Sequence, residues 1–316
     1  MAAMRLLETP GDYAIGVGVH SAITARIAER TGFDVLWLSG LEVSAERALP
    51  DLNVITLTEM AGELREVARA SSLPVFVDGD NGYGSDELML RAACMFAESG
   101  ATAMCVEDNE FPKRNSFYRG VGRSLEDVRV FARRIELVRG RVPQLKLIAR
   151  TEALVAGLGP DEAVIRARAY VDAGADAVFI QTITSTVGEF ELVLERLRGT
   201  IPIMVTPTKM PGVLAADLHQ MGADVIIYSS VVMRTVIASL ERCLSDLRRA
   251  ERPSAVFDQM PPLEALFELT STHHRLATVP APARPQPPSA AAGRGVAPAG
   301  ALPRAAPGTR PPARPS

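Results

Sequence analysis

The sequence of 316 residues predicts an α/β protein of the (β/α)8 TIM-type barrel class, on three observations. Eight short runs rich in β-branched residues recur along the chain, an amphipathic stretch follows most of them, and several of those stretches end in glycine. Parallel strands need a crossover between neighbours, which the intervening helices supply, and eight strands favour closure into a barrel. The alternative, an open doubly wound sheet, would need a phosphate or dinucleotide loop after an early strand. Around Gly16-Val17-Gly18 the third glycine of such a loop is missing.

The elements follow in order. Strand one falls at residues 13–19 and leads into a helix at 21–30. Strand two, 34–39, ends in Ser39-Gly40-Leu41. Strand three, 75–78, ends in Asp78-Gly79-Asp80-Asn81-Gly82-Tyr83-Gly84, ahead of a helix at 86–99 closed by Gly100. Strand four, 103–107, ends in Glu107-Asp108 and is followed by a loop at 111–120 and a helix at 124–138. Strand five, 146–150, ends in Arg150-Thr151-Glu152, and the next helix, 161–173, stops at Gly174. Strand six, 177–181, ends in Gln181-Thr182 before a helix at 189–198. Strand seven is 202–206, the helix at 213–221 closes at Gly222, and strand eight is 225–228. An additional C-terminal helix at 262–270 carries Leu263, Leu266, Phe267 and Leu269, an apolar set that needs a surface to cover. The barrel domain is therefore expected over residues 1–275. Residues 276–316 are dominated by Pro, Ala, Arg and Gly, which cannot bury enough apolar surface to offset ordering entropy, so this segment is expected to be a disordered tail.

Composition excludes several functions. A formal net charge of −3 gives no basic excess for a phosphate backbone, so nucleic acid is not an expected partner. No apolar run reaches the roughly 18–20 residues that span a bilayer, and residues 1–12 lack the layout of a signal peptide; a cytoplasmic protein is expected. Cys94, Cys105 and Cys243 show no CxxC spacing, and only four histidines are present, which leaves little for a zinc site or a Ser-His-Asp triad.

In a barrel of this kind functional groups sit at the C-terminal ends of the strands, and that is where the polar residues fall. Asp78, Asp80 and Glu107, from adjacent strands, bring three like charges together, and such a set calls for a cation or for raised pKa values. With oxygen ligands and no neighbouring histidine the cation is a hard one, Mg²⁺, with Mn²⁺ as a possible substitute. A calcium loop is excluded, because its sixth and twelfth positions would be Tyr83 and Met89. Arg150 is a fixed cation suited to a carboxylate or phosphonate. The loop at 111–120 mixes basic, amide and hydroxyl groups, as a lid over an anionic substrate would.

Ser39-Gly40-Leu41, the run from Asp78 to Gly84, Glu107-Asp108-Asn109-Glu110-Phe111-Pro112-Lys113-Arg114-Asn115-Ser116 and Ala149-Arg150 resemble the motif set of the phosphoenolpyruvate mutase family, in the isocitrate lyase superfamily. The resemblance covers residues 17–249. It implies interconversion of phosphoenolpyruvate and phosphonopyruvate, with Asp78 as a direct Mg²⁺ ligand and Asp80 and Glu107 holding the metal largely through water. It also implies that Ser39, Gly40 and Leu41 cradle the oxo-acid end and that Asp51 is an active-site aspartate. Lys113, Asn115 and Ser116 would form a gating loop, and Arg150 would hold the transferring group. The resemblance further implies a homodimer or homotetramer with an exchanged C-terminal helix. Asn115 stands where superfamily lyases carry cysteine and hydrolases tend to carry threonine, which favours the mutase branch. Gln181 takes the substrate-binding position where mutases carry histidine, and Ser230-Val231 replaces Asn-His. A related lyase or phosphonopyruvate hydrolase acting on another 2-oxo acid is therefore an alternative reading. A catalytically silent oxo-acid-binding barrel is another, against which the complete carboxylate set argues.

Overall fold

In the computed structural model, which describes residues 13–118 and 122–270, eight parallel strands close into a barrel in sequence order. They are β1 (Ala14–Val19), β2 (Val35–Leu38), β3 (Val75–Asp78), β4 (Ala103–Glu107), β5 (Lys146–Thr151), β6 (Ala177–Ile180), β7 (Ile203–Val205) and β8 (Val225–Tyr228). Ladders such as Asp78↔Cys105 and Glu107↔Arg150 fix the register, and β8 closes the ring on β1 through Val17↔Tyr228. The helices are α1 (Ala22–Arg30), α2 (Gly40–Glu46), α3 (Leu57–Ala70), α4 (Asp86–Ser99), α5 (Val128–Arg141), α6 (Gly159–Asp172), α7 (Gly188–Leu197), α8 (Ala215–Met221), α9 (Val231–Ala250) and α10 (Leu263–Thr270).

Strand alternation divides the core in two. Inward-facing Ala14, Val35, Trp37, Phe76, Ala103, Cys105, Ile148, Ala177, Phe179, Met204, Val225 and Ile227 fill the barrel. Outward-facing Leu36, Leu38, Val77, Met104, Val178, Ile180 and Val205 bury against the helices. With both faces covered, the strands read as nearly continuous apolar runs.

The predicted strand ends hold to within a residue or two. The helix expected at 124–138 instead begins at Val128, because the Asp127 carboxylate accepts from the Arg129 and Val130 amides and caps it there. Leu125 belongs to a short antiparallel bridge with Asn109, which ties the end of the lid segment to the strand-four loop. The predicted tail at 276–316 lies outside the described residues. Among those described, no helix is long and apolar enough to cross a membrane.

Helix α9 departs from the barrel wall. Of its twenty residues only Met233 is buried, and Ile237, Leu240, Leu244 and Leu247 form an exposed apolar stripe at helical spacing. Helix α10 packs on α1 of the same chain, where Arg26 donates to the Leu269 carbonyl at 2.6 Å.

Candidate active site

Pleating decides what faces the mouth. The next inward position above the barrel interior is Ser39, Asp78, Glu107, Arg150, Gln181, Thr206 and Ser229 on strands two to eight. These residues line one cavity of about 40 Å³ together with Trp37, Leu41, Asp51, Phe179, Thr208 and the lid residues Lys113, Asn115, Ser116 and Phe117. On β1 the equivalent position is Gly18, where a Cβ would lie 1.8 Å from Glu42 Oε1. The Glu42 carboxylate occupies that space. It accepts from the Ser230 amide at 2.8 Å and the Met233 amide at 3.3 Å, binding α2 to the first turn of α9. Of the predicted site residues, Gly40 and Asp80 are not in the lining but stand directly behind it. A Cβ on Gly40 would meet Asp78 Oδ2 and Asp80 Oδ1 at 3.2 Å each.

The lid is closed over this mouth. Lys113, 4% exposed, places its ammonium 2.9 Å from Asp51 Oδ1 and against Asp80. Its backbone amide donates to Asn53 Oδ1, and the Asn53 amide donates to Asp80 Oδ2, so one side chain ties lid to wall. Asn115 donates to Asp51 Oδ2 at 2.6 Å. The Ser116 hydroxyl donates to the Glu152 carboxylate and accepts from Arg150 Nη2 at 2.8 Å. Arg150 in turn donates to Glu152 at 2.6 Å, pairs with Glu107 at 3.3 Å and lies 4.9 Å over the Phe179 ring. Beneath it, Asp108 accepts from the Glu152 amide, the Tyr170 hydroxyl and Arg166, which fixes the backbone that carries Glu152. Arg119 and Gly120 of the predicted lid lie outside the described residues.

Among the described residues charge is unevenly balanced: buried Asp51, Asp78, Asp80, Glu107 and Glu152 face the two cations Lys113 and Arg150. Burial pushes Asp80 up to about 7; the Lys113 ammonium opposes the rise, while Asp78 and Asp51 add to it. Burial also raises Glu107 against the pull of Arg150 and Lys113. Asp51 lies below the ordinary carboxylate range, because Lys113 and the Asn115 amide outweigh its burial. Lys113 and Arg150 are both held charged, their burial outweighed by the carboxylates around them.

The donor set fits a hard cation. Both polar atoms of buried Asn81 have no partner, while the neighbouring Asp80 Oδ1 is met by the Lys113 ammonium. Orphaned polar atoms beside a carboxylate excess are what a cation's bound waters would satisfy. Asp78, Asp80 and Glu107 do not, however, form the tight cluster the sequence led one to expect. Among the described residues no three acidic, His or Cys groups close on one point as a cage. Asp80 pairs instead with Lys113, and Glu107 with Arg150. A metal here would keep a largely aqueous shell, as Mg²⁺ does readily.

Several cavity residues escaped the sequence reading. Thr206 and Ser229 follow the same inward alternation as Asp78 and were findable by counting two beyond Met204 and Ile227. Glu152 stands two residues beyond Arg150, just past the end of β5, where the sequence marks it only as part of the strand end. Asn53 and Arg123 carry no strand-end signal at all.

A closed parallel barrel that gathers carboxylates, a lysine and an arginine at one mouth has the layout of a barrel enzyme. The particular family is equally plain: the family model described as phosphoenolpyruvate phosphomutase matches residues 4–248, and the chain belongs to that family. The crystal structure of phosphoenolpyruvate phosphomutase from Streptomyces platensis subsp. rosaceus superposes with a TM-score of 0.81 at 36% identity, covering 84% of this chain and 93% of that one. Phosphonopyruvate hydrolase in complex with oxalate and Mg²⁺ gives a TM-score of 0.78 at 28% identity, covering 85% and 93%. The 2-methylisocitrate lyase of Halalkalibacterium halodurans is 32% identical over 80% of this chain and 84% of its own. The relatives are enzymes of three kinds, so family membership leaves the reaction open among mutase, hydrolase and lyase.

Proposed function

We propose that the chain is a Mg²⁺-dependent mutase that interconverts phosphoenolpyruvate and phosphonopyruvate, a step that forms or breaks a P–C bond. The observation that carries this reading is the closed lid. It delivers an ammonium, an amide and a hydroxyl to a cavity whose lining, among the described residues, contains neither cysteine nor histidine. The superfamily's lyases carry a cysteine for proton transfer to carbon where this chain has Asn115, whose amide is not an acid. Phosphoryl migration gains and loses no proton, and needs only donors and the exclusion of water.

In this reading Asp78, Asp80 and Glu107 would hold Mg²⁺, which when bound would supply Lewis-acid stabilisation of negative charge on the substrate oxygen. The Ser39 oxygen already accepts from the Glu42 amide, so its proton is free to donate to the oxo-acid end. Arg150, Lys113 and Asn115 grip the phosphoryl oxygens. The P–O bond breaks with its electron pair left on the enol oxygen, and the loose metaphosphate-like group is captured by the electron pair of C3. The enol oxygen becomes the ketone oxygen, and atoms and charge balance without water. A cavity of about 40 Å³ holds roughly three waters, so substrate entry requires the lid to open.

A lyase or hydrolase acting on another 2-oxo acid is the second reading, favoured by Gln181. Its amide oxygen accepts from Thr206 at 3.1 Å, giving a neutral wall that would take a substrate group other than phosphonate. ³¹P NMR of the purified protein with Mg²⁺ and phosphonopyruvate separates the readings. Phosphoenolpyruvate as product supports the mutase, inorganic phosphate supports a hydrolase, and no reaction rejects the mutase and leaves an enzyme of another 2-oxo acid.

The same reading includes a homodimer or homotetramer, supported by the exposed stripe on α9. The exchange stays with the C-terminal helix α10, whose Leu263, Leu266 and Phe267 are exposed beside its contact with α1.

A further inference from the structure

The lid is held from two sides, and only one of them is the active site. Its side chains at Lys113, Asn115 and Ser116 reach into the cavity. On the opposite side its backbone carbonyls converge on Arg123, beyond the cavity lining. Arg123 Nη2 lies 3.0, 2.5 and 3.2 Å from the carbonyl oxygens of Asn115, Ser116 and Tyr118, and Nη1 lies 3.3 Å from that of Arg114. Nη2 has two hydrogens for three acceptors, so the bonds are shared, and the guanidinium acts as a cation at a focus of carbonyl dipoles. The Asn115 carbonyl also accepts from the Tyr118 amide at 3.0 Å, whereas those of Arg114, Ser116 and Tyr118 have no helix to satisfy them and would otherwise face water or one another.

We infer that Arg123 is a positioning residue that sets the closed form of the lid, and through it the placement of Asn115 and Ser116 on the transferring group. This inference rests on the reading of 111–118 as a lid over an anionic substrate. The geometry is specific to arginine. A lysine at this position retains the charge but brings one nitrogen, which cannot span carbonyls from residue 114 to residue 118. Misplacement of reacting groups by about 1 Å costs on the order of 10²-fold in rate. An imperfectly closed lid also admits water to the migrating phosphoryl group.

The test uses the full chain as wild type, Arg123→Lys and Arg123→Ala, with three readouts: turnover of phosphonopyruvate with Mg²⁺ by ³¹P NMR, chymotryptic cleavage after Phe117 or Tyr118 with and without oxalate plus Mg²⁺, and the melting temperature. Chymotrypsin is chosen because the substitutions remove no site for it. Arg123→Ala should lower kcat by about 10- to 10²-fold with KM changed by less than about threefold, release a larger share of inorganic phosphate, and abolish the protection given by oxalate. Arg123→Lys should fall between it and the wild type. Wild-type kcat and wild-type protection in Arg123→Ala would overturn the inference, as would a lowered melting temperature with both unchanged. If Arg123→Ala does not fold, Arg123→Lys decides by the same criteria. Failure of the mutase reading is separately visible, because wild-type protein that converts nothing can still be protected by oxalate, and the cleavage readout then judges Arg123 alone.

Discussion

Replacing Asn115 with alanine tests the proposed chemistry most directly. The Asn115 side-chain oxygen accepts from the Phe117 amide at 2.9 Å, so its nitrogen must be the atom that donates to Asp51 at 2.6 Å. Nδ2 carries two hydrogens; one is spent on Asp51 and the other is available to the migrating group. Two magnitudes compete. If Asn115 made only an ordinary neutral hydrogen bond, its loss would cost about 0.5–1.5 kcal/mol, or about 2- to 12-fold. If it donates to charge that builds up in a closed, water-poor site, the loss is about 2.7–4 kcal/mol, or 10²- to 10³-fold in kcat. The second case applies here, because Asn115 lies in the cavity lining beside Lys113 and Arg150. Steady-state kinetics of Asn115→Ala should show the larger fall, with KM little changed. A kcat within about tenfold of wild type, or a loss confined to KM, would refute a transition-state role for this amide.

Four further outcomes are expected. Asp80 holds its proton up to about pH 7 in the folded chain, whereas an unfolded aspartate releases it near 4. The folded state therefore binds the extra proton, and metal-free stability should fall as pH rises through that window. Mg²⁺ competes with that proton, so calorimetric Mg²⁺ affinity should strengthen from pH 5.5 to pH 7.5, and a flat profile would show that Asp80 is not involved. Gly18→Ala puts a methyl group on the Glu42 carboxylate and should cost about 1–3 kcal/mol, a fall of roughly 2–10 °C by scanning calorimetry. An unchanged melting temperature would mean that Glu42 moves aside freely. Leu240→Glu with Leu244→Glu charges the α9 stripe and should shift light-scattering mass toward the monomer; equal masses for mutant and wild type would remove α9 from the assembly.

The sequence disclosed the barrel readily because parallel strands covered on both faces announce themselves as short apolar runs, and the helices between them end at glycines such as Gly100, Gly174 and Gly222. Strand ends carried most of the mouth for the same reason, since Asp78, Glu107 and Arg150 are the first polar residues after buried runs. Composition marked the loop at 111–120 as a lid, but Asp51 and the individual roles of Lys113, Asn115 and Ser116 came only through family resemblance, because loops have no periodicity from which to place a side chain. Asn53 and Arg123 act by reaching across loops, at sequence separations of 60 and 8 residues from Lys113 and Asn115, and nothing local marks such contacts. The start of α5 was misplaced because Ser124 and Asp127 are both acceptable caps; the bridge between Leu125 and Asn109 decides between them, and a tertiary contact of that kind is invisible in a linear reading.

Trp37 is the single tryptophan of the chain, and it lines the catalytic cavity with 2% of its surface exposed. Its indole meets the Phe179 ring edge-on at 6.2 Å, and the Arg150 guanidinium lies over that same ring. The protein thus contains its own optical probe at the place where chemistry is proposed to occur, with no second indole to dilute the signal. Excitation near 295 nm would follow changes in polarity and charge around Arg150 in real time. Stopped-flow emission can then time ligand entry and lid closure on unlabelled protein, separating those steps from bond-making.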